Sequence, residues 1–198
     1  MHLRAPAILI AARPHGETAV IARLLTEAEG VVAAYVAGGR GRQLRPVVIP
    51  GNVVDADIRS KSDTQLPFAR IELVESRGPF LTEPLPAAAI GWACALTTAA
   101  LPERQEFPAL HDALGALLTA ICHAPSARGW VGALLAYEIL LLRELGYGEG
   151  VKPAGELPQL LEAMDRLAVP LDRYLLAERR ADIMAARQRL RQLLGRIA

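Results

Sequence analysis

A glycine- and arginine-rich stretch in the first quarter of the chain stands out for the chemistry it could do. Residues 36–51, VAGGRGRQLRPVVIPG, contain Arg40, Arg42 and Arg45, four glycines and no acidic residue. Arginine donates paired hydrogen bonds to anionic oxygens, and glycine lets a backbone approach a ligand closely. Since residues 30–54 contain no carboxylate, this region presents a positive face whatever the charge elsewhere.

The positive charge of the chain is local. The 198 residues have a formal net charge of only +1, which by itself argues against nucleic acid as a partner. Residues 1–78 contain ten Lys or Arg against eight Asp or Glu, and residues 79–198 contain twelve against thirteen. Secondary candidates for the positive face, each more commonly a solvated charge, are Arg13, Arg23, Arg59, Lys61 and Arg70.

Composition predicts a folded cytoplasmic protein of one domain or two small ones, with 52% apolar and 22% charged residues. The apolar stretch Ala5–Ala12 is too short for a membrane span and leads into no convincing cleavage site, so we expect neither membrane association nor a signal peptide. Cys94 and Cys122 lie in apolar, helix-like runs, which favours small buried hydrophobic side chains over a disulfide.

The pattern changes near residue 80. Before it, five β-type segments are separated by turn signals, at the spacing of a small all-β barrel. They are PAILIAAR, TAVIARLLT, GVVAAYVAG, RPVVIPGNVVDADIR and FARIELVES. The sequence therefore predicts a five-stranded barrel of the OB-fold type over residues 1–78.

The remainder is Ala- and Leu-rich with helical periodicity, and Pro84 and Pro86 mark the join. Helices are predicted at residues 87–100, 108–123, 126–145, 157–167 and 171–197. The fold class is thus α+β, an all-β domain over residues 1–78 followed by an all-α helical domain over residues 79–198.

Two motifs resemble one protein family. The stretch AILIAARPHGETAVIARLLTEAEGVVAAYVAGGRGR, residues 7–42, resembles the amino-terminal barrel of the RecO family of recombination mediators. Its pattern there is an apolar strand, a turn with Gly-Glu before Thr, then T-E-x-x-G and a glycine- and arginine-rich loop. YEILLLRELGYG, residues 137–148, resembles the family helix that ends in Leu-Gly-Tyr-Gly. Taken alone, HGET could be a hairpin turn and LGYG a helix C-cap.

The resemblance implies a function and a set of partners. It implies a protein that binds single- and double-stranded DNA, anneals complementary strands, and works with RecR and single-stranded DNA-binding protein to load RecA. Arginines and glycines of the opening stretch would then contact phosphates without reading sequence. The competing interpretation of that stretch is a flexible, solvated hairpin.

Aromatic content predicts the kind of binding. Barrels that bind single strands often stack bases on aromatic rings, but residues 1–78 contain only Tyr35 and Phe68. Both lie in apolar strand patterns, so we expect them in the core. Binding should then be mostly electrostatic and fall steeply with salt.

No cofactor, metal or catalytic site is expected. Many family members carry a zinc-binding cysteine cluster after the Leu-Gly-Tyr-Gly helix, whereas residues 146–168 here contain no cysteine, so we expect the zinc module to be absent. Four serines, four histidines and no nucleotide-binding glycine loop or nucleophile elbow argue against an enzyme.

The helical domain is a candidate for partner binding. The resemblance implies that it binds the acidic, apolar-ended tail of single-stranded DNA-binding protein, with Arg128 and Arg143 as candidate contacts. A different class of function stays open: an OB-fold protein-interaction adaptor without a direct DNA function, which the near-neutral charge supports.

Overall fold

The computed structural model describes residues 2–62, 65–148, 153–176 and 182–198. Its contacts divide the chain into two compact units. The first comprises Met1–Thr82 and Leu101–His111, and the second Glu83–Ala100 and Asp112–Ala198. The domain boundary after residue 78 stays a prediction, and the assignment of residues 101–111 to the first unit had no counterpart in the sequence analysis.

The first unit is a closed five-stranded barrel, as predicted. Its strands are β1 (His2–His15), β2 (Ala19–Thr26), β3 (Gly30–Val36), β4 (Val53–Arg59) and β5 (Phe68–Glu75). They pair in the order β1-β2-β3-β5-β4, and the long β1 pairs with both β2 and β4. The predicted fourth strand was too long at its start, because residues 45–51 form turns in which Pro46 and Pro50 have no N–H to donate.

Strand alternation fills the barrel with small apolar side chains. Every second residue of β2, β3 and β4 points inward and is buried, and the middle one on each strand is an alanine, Ala22, Ala34 or Ala56. Ala22 pairs with Ala34 across β2 and β3. A narrow barrel has room for little more than methyl groups at such a layer, which explains the alanine content of these strands.

The β2–β3 turn is shaped by Thr26 and Gly30. The Thr26 hydroxyl accepts a hydrogen bond from the Glu29 N–H at 3.2 Å and donates one to the Gly30 carbonyl at 3.1 Å. Gly30 has a φ of +60°, and a Cβ there would lie 1.8 Å from the carbonyl oxygen of Gln105. TEAEG, residues 26–30, is therefore a capped turn, and only glycine fits its last position.

A buried amide holds the long β3–β4 connection in place. The Asn52 side chain is fully buried and donates to the carbonyl oxygens of Pro46 and Val47, each at 3.0 Å. Its Oδ1 accepts the backbone N–H of Arg77 at 2.7 Å. Asn52 thus joins this loop to the segment that follows β5, and it uses all but one of its hydrogen-bonding positions to do so.

The helical part of the prediction is also confirmed. The helices are α1 (Pro84–Ala100), α2 (Pro108–His123), α3 (Val131–Glu144), α4 (Leu157–Pro170) and α5 (Asp182–Gly195). Before α3 a short 3-10 turn, Ala127–Gly129, replaces the predicted helix start, and a π-type turn, Leu171–Leu175, follows α4. The predicted helix over residues 171–197 lies partly outside the described residues. In the described part of the chain, none of the helices has both the length and the apolarity needed to span a membrane.

One buried ion pair joins four helices of the second unit. The Glu138 carboxylate of α3 accepts Trp92 Nε1 of α1 at 2.8 Å and two nitrogens of Arg187 of α5 at 2.8 and 2.9 Å. Arg187 also donates to the Met164 carbonyl of α4 at 2.8 Å. Because such directional bonds tolerate little displacement, this network sets the register of the four helices.

We predict that Asn52→Ala destabilises the protein by about 2–3 kcal/mol, because it leaves two buried backbone groups and one partly buried one without their partner and creates a small cavity. The free energy of unfolding in urea measures this. Gln43→Ala, at an exposed position of the same loop, should change stability by less than about 0.5 kcal/mol. Equal effects of the two substitutions would show that the amide is not the anchor.

Candidate nucleic-acid interface

The arginine-bearing loop is docked on the barrel. The Arg40 N–H donates to the Thr18 carbonyl at 2.9 Å, and its Nη1 donates to the Gly16 carbonyl at 3.0 Å. Gly39 packs so closely that a Cβ would lie 2.6 Å from Val20 Cγ2. The start of the loop is therefore fixed to the β1–β2 turn, where Gly16 has a φ of +58°.

The later part of the loop packs on the barrel core through Leu44, Val47 and Val48. Arg42 and Arg45 are exposed on this packed backbone. Among the described residues, neither has a hydrogen-bond or ion-pair partner for its guanidinium group. The loop is thus not a freely solvated hairpin, and all three of its arginines are exposed to solvent, with Arg40 held by the Gly16 carbonyl.

One outward-facing row of side chains crosses all five strands of the barrel. The pairing register runs from Arg13 on β1 to Ile21 on β2, Tyr35 on β3, Phe68 on β5 and Arg59 on β4. We call these five residues the outer row. Since paired strands lie about 5 Å apart, consecutive members of the outer row are neighbours.

The expectation that Tyr35 and Phe68 lie in the core is wrong: both belong to the outward-facing outer row, and neither is among the buried residues of the barrel core. The Phe68 side chain is 64% exposed, and Tyr35 is half-buried. Their ring centroids are 5.1 Å apart with planes at 65°, and the exposed His15 ring lies 5.8 Å from Tyr35 with planes at 87°. Aromatic rings therefore form a continuous surface on the outside of the barrel.

The sequence carried a signal for this exposure. In FARIE, residues 68–72, Ala69 and Ile71 are buried whereas Phe68, Arg70 and Glu72 are exposed. Strand side chains alternate between faces, so Phe68 shares the outer face with two charged residues. Its aromatic character alone suggested burial, and the alternation was the better indicator.

A pocket of about 350 Å³ lies beside the outer row. It is lined by Ala37, Asp57, Arg59, Phe68, Ala69 and Arg70. Its walls thus combine an exposed aromatic ring with two guanidinium groups and one carboxylate. Its volume is at the lower end of the range for small-ligand sites.

The basic residues of the barrel differ in whether a nearby carboxylate offsets their positive charge. Arg59 donates to both carboxylate oxygens of Asp57, at 2.9 and 2.7 Å, and His2 Nε2 lies 3.1 Å from Asp57 Oδ1. The hydrogen bond from Arg59 is the main reason that the pKa of Asp57 lies below its ordinary value. Asp57 therefore stays ionised at neutral pH and offsets the charge of Arg59.

Arg23 is removed from the positive face by a similar pairing. Its guanidinium lies 3.5 Å from the Glu103 carboxylate, and its side chain is only 20% exposed. Arg13, Lys61 and Arg70 are exposed. Within the described part of the chain, these three have no ion-pair partner. The structure therefore gathers Arg13, Arg59 and Arg70 around the outer row, with Arg40 at the adjoining turn, and leaves Arg23 outside this group.

The two candidate partner contacts of the helical unit are well separated. Arg128 is exposed in the 3-10 turn before α3, and Arg143 is exposed in the last turn of α3. The rise of a helix of this length puts them about 20 Å apart. Arg143 also donates to the Glu144 carboxylate at 3.1 Å, so its charge is partly matched.

Neither Cys94 nor Cys122 forms a disulfide. Cys94 is buried in α1, and burial raises its pKa to about 12, while Cys122 is partly buried. A thiol held protonated at neutral pH is neither a ready nucleophile nor a metal ligand. Among the described residues, no three His, Cys, Asp or Glu side chains are placed to hold a metal ion together.

Comparison with known proteins connects these features to a family. Residues 1–77 match the family model for the recombination protein O N terminal, and residues 83–149 match the model for the recombination protein O C terminal. The chain belongs to the RecO family. Together the two matches include the barrel, the arginine-bearing loop and helices α1 to α3.

Several relatives of the RecO family are similar over most of this chain. A DNA repair protein RecO of Rhodospirillum centenum is 44% identical over 72% of this chain and 56% of its own length. Those of Phenylobacterium zucineum and Caulobacter vibrioides are each 40% identical, over 75% and 72% of this chain and 60% and 58% of their own lengths. The matched part is thus less than two thirds of these relatives.

The family motif Leu-Gly-Tyr-Gly, residues 145–148, has a structural explanation in this RecO family member. Gly146 has a φ of +84°, its N–H donates to the Arg143 carbonyl at 3.0 Å, and the Tyr147 N–H donates to the Leu142 carbonyl at 2.8 Å. This pair of bonds is the Schellman motif that ends a helix. The Tyr147 ring is exposed and stacks on Tyr174 with centroids 5.2 Å apart.

Proposed function

We propose that the barrel unit binds DNA through the phosphate backbone and that the protein acts in DNA repair as a recombination mediator. It anneals complementary single strands and, with RecR, helps load RecA onto DNA coated by single-stranded DNA-binding protein. Family membership supports this role, since the relatives are named DNA repair proteins. The observation that carries it is that four arginines of the barrel unit are exposed and have no acidic partner among the described residues: Arg13, Arg42, Arg45 and Arg70.

These four arginines fit phosphates better than base edges. Exposed arginines on a barrel and on a packed loop can donate paired hydrogen bonds to successive phosphates, and these contacts carry no sequence information. Neutralising phosphates on two strands lowers the repulsion between them, which is what strand annealing requires. The proposal assigns no catalytic residue and no cofactor to this chain.

An adaptor without a direct DNA function is the second candidate, favoured by the net charge of +1. Binding to single-stranded DNA of random sequence separates the two, because phosphate contacts make the affinity depend on salt. Saturable binding supports the mediator function if the logarithm of the affinity decreases linearly with the logarithm of the salt concentration. Absence of binding at low salt supports the adaptor.

We predict that Arg42→Ala with Arg45→Ala weakens binding to all DNA sequences alike and lowers the log–log salt slope by about 0.7–0.9 for each lost contact. The melting temperature should not change, because both side chains are exposed and have no partner among the described residues. Arg40 is left intact, since it also holds the β1–β2 turn. Anisotropy titrations at several salt concentrations measure the slope.

The control for this double variant removes two exposed arginines of α5 and the segment after it, Arg189→Ala with Arg196→Ala. It makes the same change in net charge, so any general effect of charge appears equally in both. An unchanged slope in the loop variant, or the same decrease in the control, would contradict a phosphate contact by the loop.

We predict that Asp57→Asn strengthens DNA binding severalfold, because it removes the carboxylate that competes with phosphate for Arg59. The salt slope should become steeper by about one contact. Asp55→Asn is the matched control: it is two residues away on β4 and frees Arg4, whose Nη2 lies 2.9 Å from Asp55 Oδ2. Equal gains in both variants would indicate a non-specific charge effect.

The helical unit is proposed to bind the acidic tail of single-stranded DNA-binding protein. The family resemblance and the exposed Arg128 support this, and a tail contacting both Arg128 and Arg143 would lie extended along α3. RecR is a further proposed partner, for which no surface is assigned.

We predict that a labelled tail peptide binds at low salt and that Arg128→Ala lowers its affinity more than Arg143→Ala, since Glu144 already offsets the charge of Arg143. Fluorescence anisotropy measures both affinities. Lack of binding by the unsubstituted protein would contradict the tail site, and equal affinities of both variants and the parent would contradict these two contacts.

A further inference from the structure

The outer row contains an exposed phenylalanine, Phe68, whose ring is not part of the core inside the barrel. Phe68 is 64% exposed, whereas the inward positions that follow it on β5, Ala69 and Ile71, are each 6% exposed. Leaving a large apolar ring in water forgoes the free energy of its burial. Such a ring on the face of a barrel is a candidate contact surface.

The rings around Phe68 make a platform. The Tyr35 and Phe68 ring centroids are 5.1 Å apart in an edge-to-face arrangement, and the His15 ring lies edge-to-face with Tyr35 at 5.8 Å. Tyr35 and Phe68 are also paired through the strand backbone, so their relative position is fixed. A platform fixed in this way needs little ordering when a flat ligand stacks on it.

The charge around the platform selects an anionic partner. Arg59 and Arg70 line the same pocket as Phe68, and Arg13 lies on the outer row beyond Ile21. Lys61 follows Arg59 by two residues. Among the described residues, Asp57 and Asp55 of β4 are paired with Arg59 and Arg4, whereas Arg13, Lys61 and Arg70 have no ion-pair partner.

We propose that Phe68, held in place by Tyr35, stacks an unpaired nucleobase of single-stranded DNA while Arg59 and Arg70 hold the phosphates on either side of it. This rests on the proposed function and adds a strand preference to it. A base inside a duplex has both faces covered by its neighbours, so only a single strand can offer a free face to the rings. The loop arginines then bind both forms of DNA, and the platform favours the single strand.

The test uses the full chain with Phe68→Ile, which keeps an apolar, strand-favouring side chain but removes the ring. Three labelled probes of about 16 nucleotides, the upper end of the site size of such barrels, are compared. They are a random single strand, its duplex, and a single strand of the same charge in which abasic spacers replace the bases. Affinities and salt slopes are measured at a temperature where both proteins are folded.

We expect Phe68→Ile to lower affinity for the normal single strand about tenfold, a typical effect of losing one stacked base. Affinity for the duplex and the abasic strand should change less than about twofold, and the salt slope should stay the same because no phosphate contact is lost. Phe68→Tyr, which keeps the ring, should retain the affinity. Val74→Ala, at a 62% exposed position of the same strand, should have no effect.

Results that contradict the platform can be distinguished from results that contradict DNA binding by this protein. Equal losses on all three probes would show that Phe68 only helps to close the barrel, and no loss on any probe would show that the ring is unused. Either result overturns the platform while DNA binding by the arginines stands. If the unsubstituted protein binds none of the probes at low salt, the proposed function fails and the platform fails with it.

Discussion

The barrel unit depends on the closure of its sheet between β3 and β5. These strands meet through one backbone pair, Tyr35 with Phe68, supported by a hydrogen bond of 2.7 Å from the Tyr35 N–H to the Pro67 carbonyl. A closed barrel has no free strand edges, but it needs this last and shortest pairing to form. The contact between the two rings outside the barrel strengthens the pairing where the backbone contributes least.

The same closure explains why the candidate interface lies where it does. Tyr35 and Phe68 must be neighbours for the barrel to close, and alternation then points both rings outward with Arg59 and Arg70 beside them. The strand pairing that closes the barrel therefore also creates an exposed aromatic surface next to basic residues. The strand register alone is sufficient to position the two rings.

Buried polar groups set the remaining geometry within each unit. In the barrel, the Asn52 amide ties a connection that makes few regular backbone hydrogen bonds to the strands on which it packs. In the helical unit, Glu138 and Arg187 connect four helices, and two further polar contacts add to this: a buried hydrogen bond between Thr97 and Tyr137, and an ion pair between Arg191 and Asp165. A hydrogen bond to a buried group loses most of its value when it is displaced, so these residues specify one arrangement among several of similar apolar burial.

The sequence by itself determined the two-part α+β architecture, the five strands and most helix positions, because alternation and helical periodicity are local properties of the chain. It also located the arginine-bearing loop and the turns at Gly30 and Gly146. The fourth strand was placed too early because β-branched residues 47–49 have strand propensity, whereas the prolines and the Asn52 anchor hold them in turns. The tertiary structure decided that the charge of Arg23 is offset, since Glu103 is 80 positions away in the sequence. The pairing of Asp57 with Arg59, in contrast, follows from strand alternation, because the two residues lie two positions apart on β4. The tertiary structure also decided that Phe68 is exposed beside Tyr35, because the two residues are 33 positions apart and only barrel closure brings them together.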